Sequence, residues 1–79
     1  MNKVTERLQR EYGKLKSYMD GLESTDPLLL DAYEKNLAKW WDDLAAKAKT
    51  DEQKQIVKDA KTLMRVTFER QRNGGTANG

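Results

Sequence analysis

The chain has 79 residues, enough for one hydrophobic core but not for two. It contains no cysteine and no histidine, which excludes disulfides, cysteine or histidine zinc sites, and catalysis by a thiolate or an imidazole. Its 15 basic and 13 acidic residues give a net charge of +2, which neither requires nor excludes a polyanionic partner.

The first predicted element is a helix over residues 3–20. Its apolar residues recur in steps of three and four, which is one face of a helix; they are Val4, Leu8, Tyr12, Leu15, Met19 and Leu22. Gly21 is expected to close this helix in the left-handed conformation. Gly13 lies away from the apolar face, where it costs about 1 kcal/mol relative to alanine. It is either an ordinary surface glycine or a point of close approach for another backbone.

The second predicted helix covers residues 27–48. Pro27 suits the first helical position, and Asp26 before it is placed to cap the helix. The apolar stripe consists of Leu30, Tyr33, Leu37, Trp41, Leu44 and Ala48.

The third predicted helix covers residues 51–72. Thr50 and Gln53 have the spacing of a capping box. Its stripe consists of Ile56, Val57, Ala60, Leu63, Met64 and Phe68. Residues 73–79 carry nothing to bury and are expected to be a disordered tail, so the predicted domain is 1–72.

Three amphipathic helices joined by short loops predict an all-α fold, an antiparallel three-helix bundle running up, down and up. The alternative is a helical hairpin that completes its core by dimerising. The positions expected to be most buried are Leu8, Leu15, Leu37, Leu44, Ala60 and Leu63. The pattern does not determine the handedness of the bundle.

The residue types present argue against an enzyme. Asp42 and Asp43 are adjacent, and neighbouring helical side chains point about 100° apart, so they do not easily share a proton or a metal ion. We expect no catalytic residues, no metal and no cofactor. The polar N-terminus and the short aliphatic runs predict neither a secretory signal nor a membrane span, and we expect a soluble, cytoplasmic protein.

Two basic rows are the first candidate site. On a helical wheel each row falls within about 60°: Lys3, Arg7, Arg10 and Lys14 in the first helix, and Lys54, Lys58, Lys61 and Arg65, continued by Arg72, in the third. One bundle handedness merges the rows into a ridge for nucleic acid, and the other places them on opposite sides of helix 2. The alternative, which the helical period favours, is that the rows are only solvated faces that keep the bundle in solution.

The second candidate site is a protein-binding surface on helix 2. Leu28, Leu29, Trp40 and Trp41 widen its apolar arc to roughly 160°, more than the arc of about 100° that a surface helix needs. Tryptophan is enriched where binding energy concentrates. A central helix packed between two others would also need such an arc, so core packing is the alternative. We expect Trp40 and Leu29 to stay partly exposed in the monomer.

These features favour a non-catalytic module that binds another protein, or itself, through the apolar face of helix 2. An adaptor, accessory or inhibitor protein of a bacterium or phage would have this size and simplicity. The alternative is a nucleic-acid-associated protein that uses the basic rows. A third hypothesis is a small-molecule pocket lined by Trp40, Trp41, Tyr12 or Tyr33. The identity of the partner, the pathway and the oligomeric state do not follow from the pattern.

Overall fold

Three helices form the fold in the computed structural model, which describes residues 2–74. They are α1 (Lys3–Asp20), α2 (Pro27–Ala45) and α3 (Asp51–Arg72), and no strand occurs among the described residues. Helices α1 and α2 each pack mainly against α3 rather than against each other. The predicted all-α three-helix fold is confirmed, with α3 and not α2 as the central helix.

Two glutamine side chains show how the helices run. Gln53 Nε2, at the start of α3, donates to Thr5 Oγ1 at the start of α1 over 3.0 Å. Gln71 Nε2, at the end of α3, donates to the carbonyl of Ser24 in the α1–α2 loop over 2.9 Å. Helices α1 and α3 are therefore parallel, and α2, which follows α1 in the chain, runs in the opposite direction. This is the predicted up-down-up order.

Each helix begins at a side-chain cap. Asp26 Oδ1 accepts from the backbone N–H of Leu28 over 2.9 Å, as predicted. The predicted capping box is also formed: Thr50 Oγ1 accepts from the Gln53 N–H, and Gln53 Oε1 accepts from the Thr50 N–H. Asn2, which we had not identified from the sequence, caps α1 by accepting from the Val4 N–H over 2.7 Å.

Two helix ends differ from the prediction. Gly21 has φ −93° and is not left-handed; its N–H continues the helical pattern by donating to Ser17 O. Helix α2 ends at Ala45 rather than at residue 48. Beyond it the backbone hydrogen bonds join residues three apart instead of four, as in the bond from Ala48 N to Ala45 O at 3.1 Å, so the chain leaves the α-helical pattern.

The left-handed glycine follows α3 instead, at Gly74 with φ +111°. Asn73 and Gly74, which we had assigned to the tail, form the turn that ends α3. The rest of the predicted tail, residues 75–79, lies outside the described residues.

The core fills the space that the three helices enclose. It consists of Leu8, Leu15, Met19, Leu30, Trp41, Leu44, Ala48, Val57, Ala60, Met64 and Phe68. Four of the six positions expected to be most buried belong to it, but Leu37 and Leu63 are only partly buried. Leu37 faces a pocket between α1 and α2, where the helices leave space, and Leu63 lies at the edge of the apolar face of α3.

None of the described helices combines the length and the hydropathy that crossing a membrane requires.

Candidate functional site

A groove runs between α1 and α2 on the side of the bundle away from α3. Because both helices pack on α3, their outer flanks stay apart, and three surface pockets lie along the gap. We call this surface the α1–α2 groove. Helix α1 has 18 residues, so the groove is about 27 Å long at 1.5 Å per residue.

The first pocket, at the start of α1, has a volume of about 250 Å³. Its floor is apolar and its rim is basic; it is lined by Lys3, Val4, Arg7, Leu8, Leu44 and Lys47. Within residues 2–74, none of its three cations lies within salt-bridge distance of a carboxylate. This end of the groove therefore combines apolar contact area with uncompensated positive charge.

Trp40 lies over the middle of the groove. Its indole is 48% exposed, and its Nε1 donates to Glu11 Oε1 of α1 over 3.1 Å. Glu11 also lies 3.7 Å from Lys14 Nζ, so this carboxylate is already engaged within the chain. The hydrogen bond holds the Trp40 ring across the groove while leaving about half of its surface uncovered.

Two tyrosines form the next part of the groove. The rings of Tyr18 on α1 and Tyr33 on α2 meet edge to face, with centroids 6.3 Å apart. Burial, and secondarily the neighbouring Tyr33, raises the pKa of Tyr18 above its usual 10.0, so the hydroxyl is neutral near pH 7. Both tyrosines also line the third pocket, of about 520 Å³, which the α1–α2 loop closes.

The four predicted protein-binding residues have different positions in the fold. Leu29 and Trp40 are 44% and 48% exposed, as expected, and with Tyr33 they fall within about 40° on α2, facing the groove. Leu28 is 80% exposed, but points about 120° away from Trp40. Trp41 is 1% exposed and belongs to the core, so it is not part of the exposed surface; it lines the inner side of the same pocket as Trp40.

The two basic rows lie on opposite sides of α2. Lys3, Arg7 and Lys14 line the α1–α2 groove, and Arg10 is exposed on the same flank of α1. In the α3 row, by contrast, Lys61 and Arg72 reach acidic residues on the other flank of α2.

Ion pairs interrupt the α3 row. Lys61 Nζ lies 2.9 Å from Asp42 Oδ1, and Arg72 Nη2 lies 2.8 Å from Asp31 Oδ1 and 2.6 Å from Glu34 Oε1. The hydrogen bonds to Asp31 and Glu34 raise the pKa of Arg72 further, so it stays a cation. Arg65 is 3.9 Å from Glu69 of its own helix, whereas Lys54 and Lys58 are exposed.

The two basic rows do not meet across the boundary between α1 and α3 either. The pocket found there is lined by Gln9, Tyr12, Ile56 and Asp59, and none of these is a cation. The structure therefore does not bring the nine basic residues into one ridge. Of the aromatic residues of the small-molecule hypothesis, Trp40 and Trp41 line one pocket of about 160 Å³, whereas Tyr33 lines the pocket beside the α1–α2 loop and Tyr12 lies here.

Sequence reasoning missed Tyr18, Lys47 and the role of Glu11. Tyr18 and Glu11 stand seven residues apart, which places them on one side of α1. That spacing identifies a shared face, but it does not say which helix the face meets. Lys47 lies beyond the end of α2, and only the packing brings it beside Lys3 and Arg7.

No group of acidic residues in the described part of the chain is arranged to hold a metal ion. No protein-family model matches this chain, and neither the curated proteins nor the solved structures contain a significant match.

Proposed function

We propose that this protein is a non-catalytic interaction module that binds a partner protein through the α1–α2 groove, including the outward face of α2. The observation that carries the proposal is the row of half-exposed large side chains along the groove: Tyr18, Leu29 and Trp40 are 43%, 44% and 48% exposed. Adjacent large apolar side chains left open to solvent are typical of binding surfaces.

Trp40 is the expected centre of the binding surface. Tryptophan is among the residues that contribute most to binding energy, above all where a pocket surrounds it. Here it borders a pocket of about 160 Å³ that Leu15, Leu37 and Tyr18 also line. Its hydrogen bond to Glu11 fixes the ring before a partner arrives, which reduces the entropy lost on binding.

The non-catalytic character is supported by the residue inventory. Without histidine or cysteine, the chain lacks the commonest general base and the commonest activated nucleophile. A cysteine-free chain also suits a reducing compartment, and the proposal includes a cytoplasmic location. Nucleic-acid binding is the weaker candidate because the basic rows lie on opposite sides of α2 and the α3 row is partly neutralised by α2.

Replacing Trp40 with alanine tests this function. We expect Trp40→Ala to remove capture of a specific partner from the source cells, because it deletes the largest exposed apolar surface of the groove. Leu28→Ala is the matched control, since Leu28 is 80% exposed and points away from the groove. Pull-down with quantitative mass spectrometry reads out capture, and circular dichroism with thermal unfolding reads out the fold.

The proposal requires a partner that the wild type and Leu28→Ala both retain and Trp40→Ala loses. If Trp40→Ala lowers stability strongly while capture and self-association stay unchanged, Trp40 acts as a core residue and the proposal is wrong.

A further inference from the structure

We infer that the partner segment is an acidic amphipathic helix, lying lengthwise in the α1–α2 groove with its carboxylates at the Lys3, Arg7 and Lys47 end. This inference rests on the proposed function and specifies the chemistry of the partner. An amphipathic helix that inserts its apolar face into a groove between helices is a recurrent mode of peptide recognition.

The shape of the site favours a helix. Helices α1 and α2 both rest on α3, and a further helix placed in the gap between them would extend the bundle to four. The groove is about 27 Å long, which matches about 18 residues of helix. Its pockets lie in series along the axis, so apolar residues three, four and seven apart on one helical face would meet them in turn.

The positive charge at one end of the groove favours an acidic helix as the partner. Lys3, Arg7 and Lys47 surround the apolar floor of Val4, Leu8 and Leu44 and have no carboxylate partner within residues 2–74. At the middle of the groove Glu11 is already paired with Lys14 and Trp40. At the far end the pocket is lined by an acidic residue, Glu23, and not by Lys or Arg. The complementary helix therefore has its acids near one end and apolar residues along its whole length.

A second copy of this chain fits the groove poorly. A two-fold dimer with its axis through the groove would place groove against groove, which leaves the pockets unfilled because each pocket needs a ridge. Of the four acidic residues of α2, Asp31, Glu34 and Asp42 already pair with α3, which leaves one, Asp43, to meet three cations. A phosphate backbone would use the cations but not the apolar floor between them.

A displayed peptide library provides the probe. The library holds 18-residue peptides with leucine or alanine at the spacing of one helical face and all other positions random. It is selected on the immobilised full chain. We expect the enriched peptides to carry an excess of Asp and Glu near one end, and to bind in solution with a change in tryptophan fluorescence that Trp40→Ala removes.

Matched charge reversals locate the site. A triple variant that combines Lys3→Glu, Arg7→Glu and Lys47→Glu should bind the enriched peptides at least about tenfold more weakly, because three attractive contacts become repulsive. The control triple variant combines Lys54→Glu, Lys58→Glu and Arg65→Glu. It changes the net charge by the same amount on the far side of α2, and its affinity for the peptides should stay within about twofold of the wild-type affinity. Circular dichroism establishes that both triple variants fold.

Each other outcome overturns the inference in a distinct way. Enriched peptides that need Trp40 but carry no acidic bias, or that tolerate the groove reversal, refute the acidic helix and leave the proposed function standing. Absence of any enrichment refutes the helical partner, and the Trp40→Ala pull-down then decides the proposed function separately. Light scattering that reveals a dimer broken by Trp40→Ala identifies a second copy as the occupant. Duplex DNA binding that the groove reversal abolishes, with no peptide enriched, assigns the cations to a polyanion.

Discussion

Gly13 is the residue whose presence the packing explains least. It lies in the middle of α1, and a Cβ built on it meets nothing within 4 Å. The close approach of another backbone, one of the two explanations drawn from the sequence, does not occur within the described part of this chain. Gly13 therefore costs helix stability without a packing contact in return.

Gly13→Ala should stabilise the protein by about 0.5–1 kcal/mol, because alanine restricts the unfolded chain and enters open space in the folded one. Urea denaturation followed by circular dichroism measures the change. Gly74→Ala is the control: its φ of +111° is unfavourable for alanine, so no stabilisation is expected there. A loss of stability in Gly13→Ala would reveal that a second copy packs closely against this face.

Trp40 and Trp41 show how strongly one residue step matters in a helix. The side chains point about 100° apart, so one is 48% exposed in the groove and the other is 1% exposed in the core. The position of Trp41 near the middle of the apolar stripe already indicated burial. Trp41 therefore lies beneath the exposed surface around Trp40, because a residue at the centre of an apolar stripe is covered while one at its edge stays exposed.

At the scale of the element, the apolar stripe of α2 divides into two parts. Leu30, Trp41 and Leu44 are buried, whereas Leu37 lines a pocket between α1 and α2 and is only partly buried. The sequence places Leu30 and Leu37 on one helical face, and of the two only Leu37 is expected among the most buried positions. The difference comes from which neighbour each side chain meets.

Leu30→Ala should therefore destabilise the protein by about 2–5 kcal/mol, the cost of a cavity at a fully buried leucine. Leu37→Ala, which the sequence alone assigns the same cost, should lose only about 1–2 kcal/mol because less apolar surface is transferred to water. Thermal unfolding and urea midpoints of the two variants measure the difference. Equal losses would mean that the groove closes over Leu37 in solution.

At the scale of the whole molecule, Gln53 and Gln71 hold the two ends of α3 in register with the rest of the bundle. Gln53 is 1% exposed and completes the capping box of α3, while its amide reaches Thr5 of α1. Gln71 is 4% exposed and reaches the loop before α2. Both are buried polar groups with a hydrogen-bond partner, which makes their contacts dependent on the correct register.

Gln53→Ala should cost more stability than Thr50→Ala. Thr50→Ala removes a helix cap, worth about 0.5–2 kcal/mol. Gln53→Ala also leaves the buried hydroxyl of Thr5 without its partner, which adds about 1–3 kcal/mol. The control is Gln55→Ala, because the Gln55 side chain is exposed and, within residues 2–74, donates to the exposed Asp59; this variant should stay within about 0.5 kcal/mol of wild type. Urea denaturation compares the three, and a Gln53→Ala loss no larger than that of Thr50→Ala would contradict this role.

The sequence by itself determined the three helices, the Asp26 and Thr50 caps, the up-down-up order and the partial exposure of Leu29 and Trp40. These features follow from spacing along one helix and from short loops, which are local properties of the chain. The end of α2 and the conformation of Gly21 did not follow from the sequence, because both depend on how the chain must turn towards the next helix.

The tertiary structure alone decided that α3 is the central helix, that the basic rows lie on opposite sides of α2, and that Lys47 joins Lys3 and Arg7 around one pocket. A helical period identifies which residues share a face, but the same stripes are compatible with either bundle handedness and with different neighbours for each flank. Whether a flank becomes a groove or an ion-paired seam depends on side chains that are distant in the sequence and meet only when the bundle is packed.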